Sequence, residues 1–453
     1  MLRNFFTIAI RSLLRKPGYS FLNITGLAVG MTVSMMIGLW SYDELTFNHY
    51  HANYERLAII NLNQTTNHQV STHQGSPLPM AEELKTNFKS DFTRVVTMWW
   101  ESDHTLTMGE EKTSRNGTFM DADGLALFSF RMLKGNLHSL DDPSSIVLSA
   151  STSRALFGDD DPINKVIRFD GKFDLRVSGV FEDLPKNSDF TNVHFAGSWN
   201  YWVEHNPWLK SFEQDWNYQV RIYAEISPAT TFDKATDKIK NIKQKHIAEQ
   251  QAKTEQPELF LEPMDRWHLY SEFKDGKSAG GRIQFVRLFS TIGLFVLLLA
   301  CINFMNLSTA QSERRAREVG IRKSVGSARV QLITQFLSES LLVVSFSWLL
   351  ALVLVTTLLP SFNVLAGKDI ALPLGNPFFW MAGIFFVMIT SLLAGSYPAL
   401  YLSSFQPVKV LKGKFHAGRF TNYPRRALVV FQFIVSITLI IGTIIVWQQV
   451  NYA

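Results

Sequence analysis

One short charged stretch of this 453-residue chain has the sequence Ser312-Glu-Arg-Arg-Ala-Arg-Glu-Val-Gly-Ile-Arg-Lys-Ser-Val-Gly326 and lies between two long apolar segments. So many charged side chains cannot lie in hydrocarbon, whereas both flanking segments are long and apolar enough to cross a bilayer. The stretch is therefore predicted to be a loop or short helix at one face of a membrane.

Apolar segments of sufficient length predict five membrane spans: residues 19–42, 283–310, 330–359, 377–403 and 427–448. Residues 360–376 are predicted to form an outer loop, and residues 404–426 a cytoplasmic linker. Residues 1–18 are predicted to form an amphipathic helix in the membrane interface, because their basic and apolar side chains fall on different faces.

Charge is segregated along the chain, and the segregation predicts its orientation. Residues 1–18, 311–329 and 404–427 are strongly basic, whereas residues 43–282 carry 26 Lys and Arg against 35 Asp and Glu. Because basic loops stay on the cytoplasmic side, the acidic region is predicted to lie outside a bacterial inner membrane, with the N-terminus inside. Topology thus explains the net charge of +5 without a nucleic-acid partner.

The acidic region, residues 43–282, mixes strand-like and helix-like patterns and is large enough to bury its own core. Its turn signals predict two subdomains, with a strand-rich subdomain at about residues 104–215 inserted into the other. The fold class is thus a mixed membrane protein, in which an α-helical transmembrane bundle carries a large α+β periplasmic domain. Cys301 is the only cysteine and lies in an apolar segment, so this domain folds without disulfides.

Motifs for enzyme chemistry are missing from the sequence. There is no G-x-x-x-x-G-K-[S/T] loop for ATP and no G-x-S-x-G nucleophile turn. His49 and His51 lack companion ligands at metal-site spacing and are interpreted as surface histidines, although a metal site is the alternative. The prediction is a chain that is not an enzyme, with no catalytic residue, cofactor or metal of its own.

The charged stretch, here called the coupling segment (residues 311–329), has the spacing of a short helix. Glu313 and Arg317, like Glu318 and Arg322, are four residues apart with the acid first, which stabilises a helix. The stretch also contains two glycines and three exposed basic residues that offer donors to an acidic partner: Gly320, Gly326, Arg314, Arg315 and Lys323. A loop that only sets topology is the alternative.

Two features inside the predicted spans have predicted roles. Gly26 and Gly30 form a small face on which another helix could pack closely. Glu339 is a lone carboxylate in the third span; it either carries motion from the coupling segment or lies near the interface and reaches water.

Several motifs together resemble the MacB/FtsX-type ABC transporter permeases. The predicted interfacial helix contains Arg11-Ser-Leu-Leu-Arg15, and the predicted spans contain Phe336-Leu-Ser-Glu-Ser-Leu341 and Gly395-Ser-Tyr-Pro-Ala399. The outer region adds Leu156-Phe-Gly-Asp-Asp-Asp-Pro-Ile163 and Val177-Ser-Gly-Val-Phe-Glu-Asp-Leu-Pro185, which are similar to the MacB-type periplasmic core domain.

Because the chain lacks a P-loop, its energy is expected to come from a separate cytoplasmic ABC-type ATPase. The resemblance implies that this ATPase docks on the coupling segment. It also implies mechanotransmission to the periplasmic domain, for efflux or envelope substrates, with a homodimer or a second permease half. The basic entry to the fifth span repeats the start of the chain, which favours such a second half. Membrane lipids and a periplasmic adaptor or substrate complete the expected partners; an FtsX-like scaffold that regulates a wall hydrolase is the alternative function.

Overall fold

A computed structural model describes residues 17–67, 69–310, 319–321, 323–403 and 423–452. The chain divides into two compact units. One contains the residues up to Tyr42 and from Val286 onward, and the other contains Asp43–Phe285. The predicted interfacial helix and cytoplasmic linker lie almost entirely outside the described residues, as do residues 311–318 and 322 of the coupling segment.

Five helices in the described part of the chain are long and apolar enough to cross a membrane. Numbered in chain order among all helices, they are α1 (Pro17–Leu45), α11 (Ile283–Ala310), α12 (Arg329–Ala366), α13 (Pro377–Ser403) and α14 (Tyr423–Tyr452). Each predicted span overlaps one of them. Helices satisfy their backbone hydrogen bonds internally, which hydrocarbon requires.

Helix α12 continues past the predicted end of the third span at residue 359. Pro360 lies inside it, and the helix ends at Ala366, where Gly367 adopts a left-handed φ of +64°. A proline removes only one helical hydrogen bond, whereas a left-handed glycine ends a helix by turning its backbone. The irregular outer connection therefore begins at Gly367 and not at residue 360.

The outer unit contains fifteen strands among its described residues, and the bounds of all of them are as follows: β1 (Leu57–Thr66), β2 (Gln69–His73), β3 (Ser76–Pro77), β4 (Phe92–Met98), β5 (Ser102–Met108), β6 (Glu111–Met120), β7 (Met132–Lys134), β8 (Ser145–Ser149), β9 (Val166–Phe169), β10 (Phe173–Phe181), β11 (Phe195–Ser198), β12 (Gln219–Ile226), β13 (Glu258–Pro263), β14 (Glu272–Lys274) and β15 (Lys277–Gly280). Its helices are α2 (Met80–Asn87), α3 (Gly124–Leu127), α4 (Ala150–Phe157), α5 (Trp199–His205), α6 (Pro207–Lys210), α7 (Phe232–Ile239), α8 (Ile242–His246), α9 (Glu249–Glu255) and α10 (Met264–Trp267). The mixture confirms the predicted α+β class.

Thirteen of these strands form one mixed sheet in the order β11-β8-β10-β9-β5-β6-β4-β12-β1-β13, with β2, β3 and β7 on the sides. Strands β5–β11 form one group, and β1–β4 with β12 and β13 form the other. The groups meet where β4 pairs with β6 through Met98 and Met120. The sheet thus contains a strand-rich group inserted between the two ends of the outer region.

Each strand group has its own buried core. The core of the terminal strands includes Ala58, Ile222 and Leu259, and that of the inserted strands includes Phe169 and Phe195. Burying such side chains contributes about 1.5–3 kcal/mol each. A third cluster draws residues from both groups, including Val96, Phe128, Phe190 and Tyr223. Trp199 packs in the terminal core, although it lies within the predicted insertion.

Candidate coupling site

The described part of the coupling segment is its C-terminal half. Residues 319–321, 323 and 324 are helical, and the chain turns at 325 and 326. The acid–arginine pairs predicted to stabilise the helix lie outside the described residues, because these do not include Glu313, Arg314, Arg317, Glu318 and Arg322. Their roles remain predictions.

Val319 anchors the segment on the membrane unit. Its side chain is buried and packs in a cluster with Leu332 and Phe336 of α12 and Ala399 of α13. An apolar residue in a charged stretch is thereby removed from water, which contributes about 1.5–3 kcal/mol. The segment is therefore attached to two helices beside its covalent connection.

Lys323 has an intramolecular acceptor. Its Nζ donates a hydrogen bond to the carbonyl oxygen of Ser403, the last residue of α13, at 2.6 Å. Arg329 Nε also lies 3.4 Å from Ser403 Oγ. Cations at a helix C-terminus satisfy free carbonyls and interact favourably with the helix dipole. Lys323 thus fastens the segment to α13, whereas the sequence predicts it as an exposed donor for a partner.

The two glycines of the coupling segment differ in their surroundings. Gly320 is buried next to Val319. Gly326 has a φ of +102°, a conformation that side chains with a Cβ rarely adopt, and it faces open space. Gly326 therefore allows the chain to turn sharply before α12 begins at Arg329.

Glu339 lies in α12 among other polar groups. Gln335 Nε2 donates to its Oε1 at 3.3 Å, and the carboxylate side chain is only half-buried. The neighbouring Ser340 is buried where α13 comes very close, since a Cβ at Gly395 would lie 2.7 Å from Ser340 Oγ. Glu339 thus lies at the edge of a tight contact between α12 and α13. Both of its predicted roles, in relaying motion and in reaching water at the interface, stay predictions.

Gly30 lies where α1 and α11 pack closely. A Cβ atom at Gly30 would collide with the Cβ of Ala300, and one at Gly26 would lie 3.6 Å from Asn303 Nδ2. Ser34 Oγ also donates to the Gly293 carbonyl at 2.8 Å. Small residues permit such close approach of helices in membranes.

We expect Gly30→Leu to destabilise the membrane unit by about 1–3 kcal/mol, because the larger side chain forces α1 away from α11. The measurement is thermal unfolding of the full chain in detergent. Gly38→Leu is the matched control, since open space surrounds Gly38 on the same helix. Equal unfolding midpoints for the two variants would contradict the packing role.

His49 and His51 differ, and only one is on the surface. His49 is exposed, but His51 is 1% exposed and hydrogen-bonded through both ring nitrogens. The surface prediction is therefore wrong for His51, because the chain folds back over it. Among the described residues, no three His, Cys, Asp or Glu side chains are placed to hold a metal ion.

A serine–histidine–aspartate chain of hydrogen bonds occurs in the inserted strands. His104 Nε2 lies 2.8 Å from Ser102 Oγ, and Nδ1 lies 2.7 Å from Asp170 Oδ2. Asp170 Oδ1 also accepts from the Thr105 amide, and the imidazole lies against Phe169 with 4.6 Å between ring centroids. These hydrogen bonds join the exposed Asp170 of the β9–β10 turn to β5, and the His104 ring packs among the aromatic rings of Phe119, Phe169 and Phe195.

A buried polar network in the outer unit was not found by sequence reasoning. Asn48 bonds to Asp189, and Glu44 Oε2 lies 2.6 Å from His268 Nε2. These partners are 141 and 224 residues apart. No local pattern indicates such pairs, and correlated changes among homologous sequences would be the only sequence signal.

Comparison with known proteins matches two family models to this chain. The MacB-like periplasmic core domain matches residues 20–242, and the FtsX-like permease C-terminal domain matches residues 290–407. Together they cover about three quarters of the chain, and they confirm the resemblance that the motifs predict.

Individual relatives are distant. The macrolide export ATP-binding/permease protein MacB of Campylobacter jejuni (strain 81-176) is 26% identical over 31% of this chain and 21% of its own length. An uncharacterized ABC transporter permease of Bacillus subtilis, YvrN, is 23% identical over 74% of this chain and 79% of its own length. This chain thus spans about a fifth of the Campylobacter protein.

Among solved structures, the periplasmic region of MacB from Actinobacillus actinomycetemcomitans aligns with 47% of this chain and 91% of its own length, at 17% identity and a TM-score of 0.34. Two successive domain matches, five apolar helices and an outer α+β unit agree with one another. The chain belongs to the MacB/FtsX family of ABC transporter permeases, as a membrane protein with an extracellular domain.

Proposed function

We propose that this chain is the permease subunit, or the N-terminal half, of a MacB-like system in which a separate cytoplasmic ATPase drives movement of the periplasmic domain. The coupling segment receives the motion, and substrates are handled outside the membrane rather than conducted through the spans. A second permease half or a second copy completes the assembly, which lies in the bacterial inner membrane with its N-terminus inside. A periplasmic adaptor or substrate would contact the outer domain.

One observation carries this proposal. The coupling segment is attached to α12 and α13 by Val319 and Lys323, so a force on the segment acts on two spans at once. A loop that serves only to set topology has no need of a buried apolar anchor or of a hydrogen bond to a helix end. The attachment supports the coupling role over the topology-only alternative.

A change of charge in the segment tests the proposal. The full-length chain is purified from native membranes with the ATPase that stays bound, and ATP turnover of the complex is measured. Glu318→Lys is expected to lower turnover at least fivefold, because reversing one charge at a docking surface commonly costs about 1 kcal/mol or more. The unfolding midpoint of the chain should stay unchanged.

The control is Glu110→Lys, which makes the same charge change at an exposed position of the outer unit. It should leave turnover unchanged. A complex in which Glu318→Lys turns over ATP like the wild type would argue against the coupling segment. Recovery of envelope proteins without any ATPase would instead favour the scaffold function.

A further inference from the structure

Residues 46–52, here called the junction segment, follow α1 directly and lie in the same compact unit as the last residues of that helix. The segment belongs in sequence to the terminal strands, since β1 begins at Leu57. Its hydrogen bonds nevertheless reach two loops of the inserted strand group. One loop contains residues 128 and 129, and the other is residues 186–190 between β10 and β11.

Asn48 makes the tightest of these connections. Its Nδ2 donates to Asp189 Oδ2 at 2.7 Å, and its Oδ1 accepts from the Asp189 amide at 2.9 Å. Its own amide donates to the Asn187 carbonyl at 2.8 Å. Asn48 is completely buried and has a left-handed φ of +66°, which asparagine tolerates better than most residues. Three hydrogen bonds therefore hold one strained residue against the loop.

His51 makes a second connection to the same loops. Burial lowers the pKa of His51 to about 4, so the ring is neutral at physiological pH. Nδ1 lies 2.7 Å from the Phe128 carbonyl, which requires the proton on that nitrogen, and Nε2 accepts from Ser188 Oγ at 3.2 Å. The ring also contacts the rings of Phe128 and Phe190.

The end of α1 is held as well. Glu44 and His268 form a pair whose side chains are only 4% and 9% exposed, and His268 stacks on Phe47 with 3.5 Å between ring centroids. A displacement at the end of α1 therefore cannot be absorbed by a loose linker. Buried hydrogen bonds with both partners in place resist separation, because breaking them leaves polar groups unsatisfied.

We propose that the junction segment carries displacement of α1 into the inserted strand group, and that Asn48 and Asp189 are the positioning residues of this connection. The inference rests on the proposed function, since it names the route by which motion driven by the ATPase enters the periplasmic domain. The two residues touch no substrate. Through their hydrogen bonds, the loop of residues 186–190 moves together with the end of α1.

The test compares hydrogen–deuterium exchange of the full chain with its ATPase in two nucleotide states. In the wild type, exchange at residues 43–52 and 186–190 should differ between ATP and ADP. In Asn48→Ala the difference should persist at residues 43–52 and vanish at residues 186–190, while exchange at 186–190 rises roughly tenfold through local opening. ATP turnover is measured in parallel.

Asn67→Ala is the matched control, because Asn67 has a similar left-handed φ of +52° but is exposed in the β1–β2 turn. The double variant Asn48→Asp with Asp189→Asn is the rescue. The side-chain amide at 189 then donates to the carboxylate at 48, which still accepts from the backbone amide. We expect it to restore the nucleotide difference, whereas Asn48→Asp alone places two carboxylates together.

The outcomes separate the two proposals. If Asn48→Ala keeps the nucleotide difference at residues 186–190, or if the wild type shows it only at residues 43–52, the junction inference is overturned. If no ATPase binds, or no nucleotide-dependent exchange occurs anywhere in the wild type, the proposed function itself fails. Should Asn48→Ala not fold, the double variant and Asn48→Asp still decide the question.

Discussion

Gly197→Val is expected to destabilise the inserted strand group by about 2–4 kcal/mol, although valine suits a strand far better than glycine. Gly197 pairs with Phe119 across the parallel strands β11 and β6. The phenylalanine ring lies over the glycine, and a Cβ atom at 197 would be 2.6 Å from Phe119 Cδ1. The substitution therefore displaces an aromatic ring that is 1% exposed.

The magnitude follows from two opposed effects. Replacing glycine in a strand gains up to about 1 kcal/mol. Displacing a buried phenylalanine costs about 3–5 kcal/mol, and Phe119 also stacks on Trp202 with 4.5 Å between centroids. A phenylalanine ring also covers Gly117 on the neighbouring strand, since a Cβ atom at 117 would lie 2.5 Å from Phe195 Cε1. The free-energy cost of displacing Phe119 is therefore expected to exceed the gain from the strand propensity of valine.

Hydrogen–deuterium exchange of the full chain in detergent checks this prediction. Exchange in β6, β8 and β11 should become much faster in Gly197→Val. Ser114→Val is the control, because it places a valine on β6 at an exposed position. If both variants exchange like the wild type, the packing argument is wrong.

Glu262→Gln is expected to remove a pH dependence of stability from the outer unit. Glu262 is 5% exposed, and Asn61 Nδ2 donates to its Oε2 at 2.5 Å. Burial raises the pKa of Glu262 to about 7, while the hydrogen bond from Asn61 and the charge of Arg266 oppose the rise; Asp189 and Asp265 add to it. In the described part of the chain, Asn61 Oδ1 has no hydrogen-bond partner.

Protonation would complete this pair. A protonated Glu262 can donate its O–H to Asn61 Oδ1 while it accepts from Nδ2, which gives both groups a partner. The ordinary pKa of 4.5 is lower than the folded value, so the folded state binds more protons between about pH 4.5 and 7. The stability that Glu262 contributes is present below pH 4.5 and is lost as the pH rises through 7.

Unfolding midpoints of the full chain from pH 5 to 9 test this prediction. The wild type should lose on the order of 2–3 kcal/mol relative to Glu262→Gln at the alkaline end, since each pKa unit is worth about 1.4 kcal/mol. The glutamine can form both hydrogen bonds at every pH. Glu272→Gln, at an exposed position, should follow the wild type; parallel curves for wild type and Glu262→Gln would refute the shared proton.

Much of the architecture was predictable because its signals are local. Long apolar segments, basic islands and an acidic region with strand and turn patterns depend only on neighbouring residues. The motifs of the MacB/FtsX family are likewise short and contiguous, and the family matches confirm them. Local signals fail at boundaries, as the extension of α12 through Pro360 to Ala366 illustrates.

The coupling segment was only partly predictable. Its charge and its place between two spans are visible in the sequence, but the anchoring role of Val319 and the hydrogen bond from Lys323 to Ser403 are not. An exposed lysine and one that caps a helix 80 residues away have the same sequence context. The hydrogen bond to Ser403 therefore could not have been foreseen without tertiary structure, and the role of Lys323 toward a partner stays a prediction.

By itself, the sequence determined that the chain crosses a membrane several times, that a large acidic α+β region lies between the first two spans, and that its motifs are those of an ABC permease. These properties follow from hydropathy, charge and contiguous motifs. Only the tertiary structure decided that Asn48 holds Asp189, that Glu262 can share a proton with Asn61, and that Phe119 covers Gly197. Each of these contacts joins residues far apart in the chain, so their geometry exists only after the sheet and loops have packed.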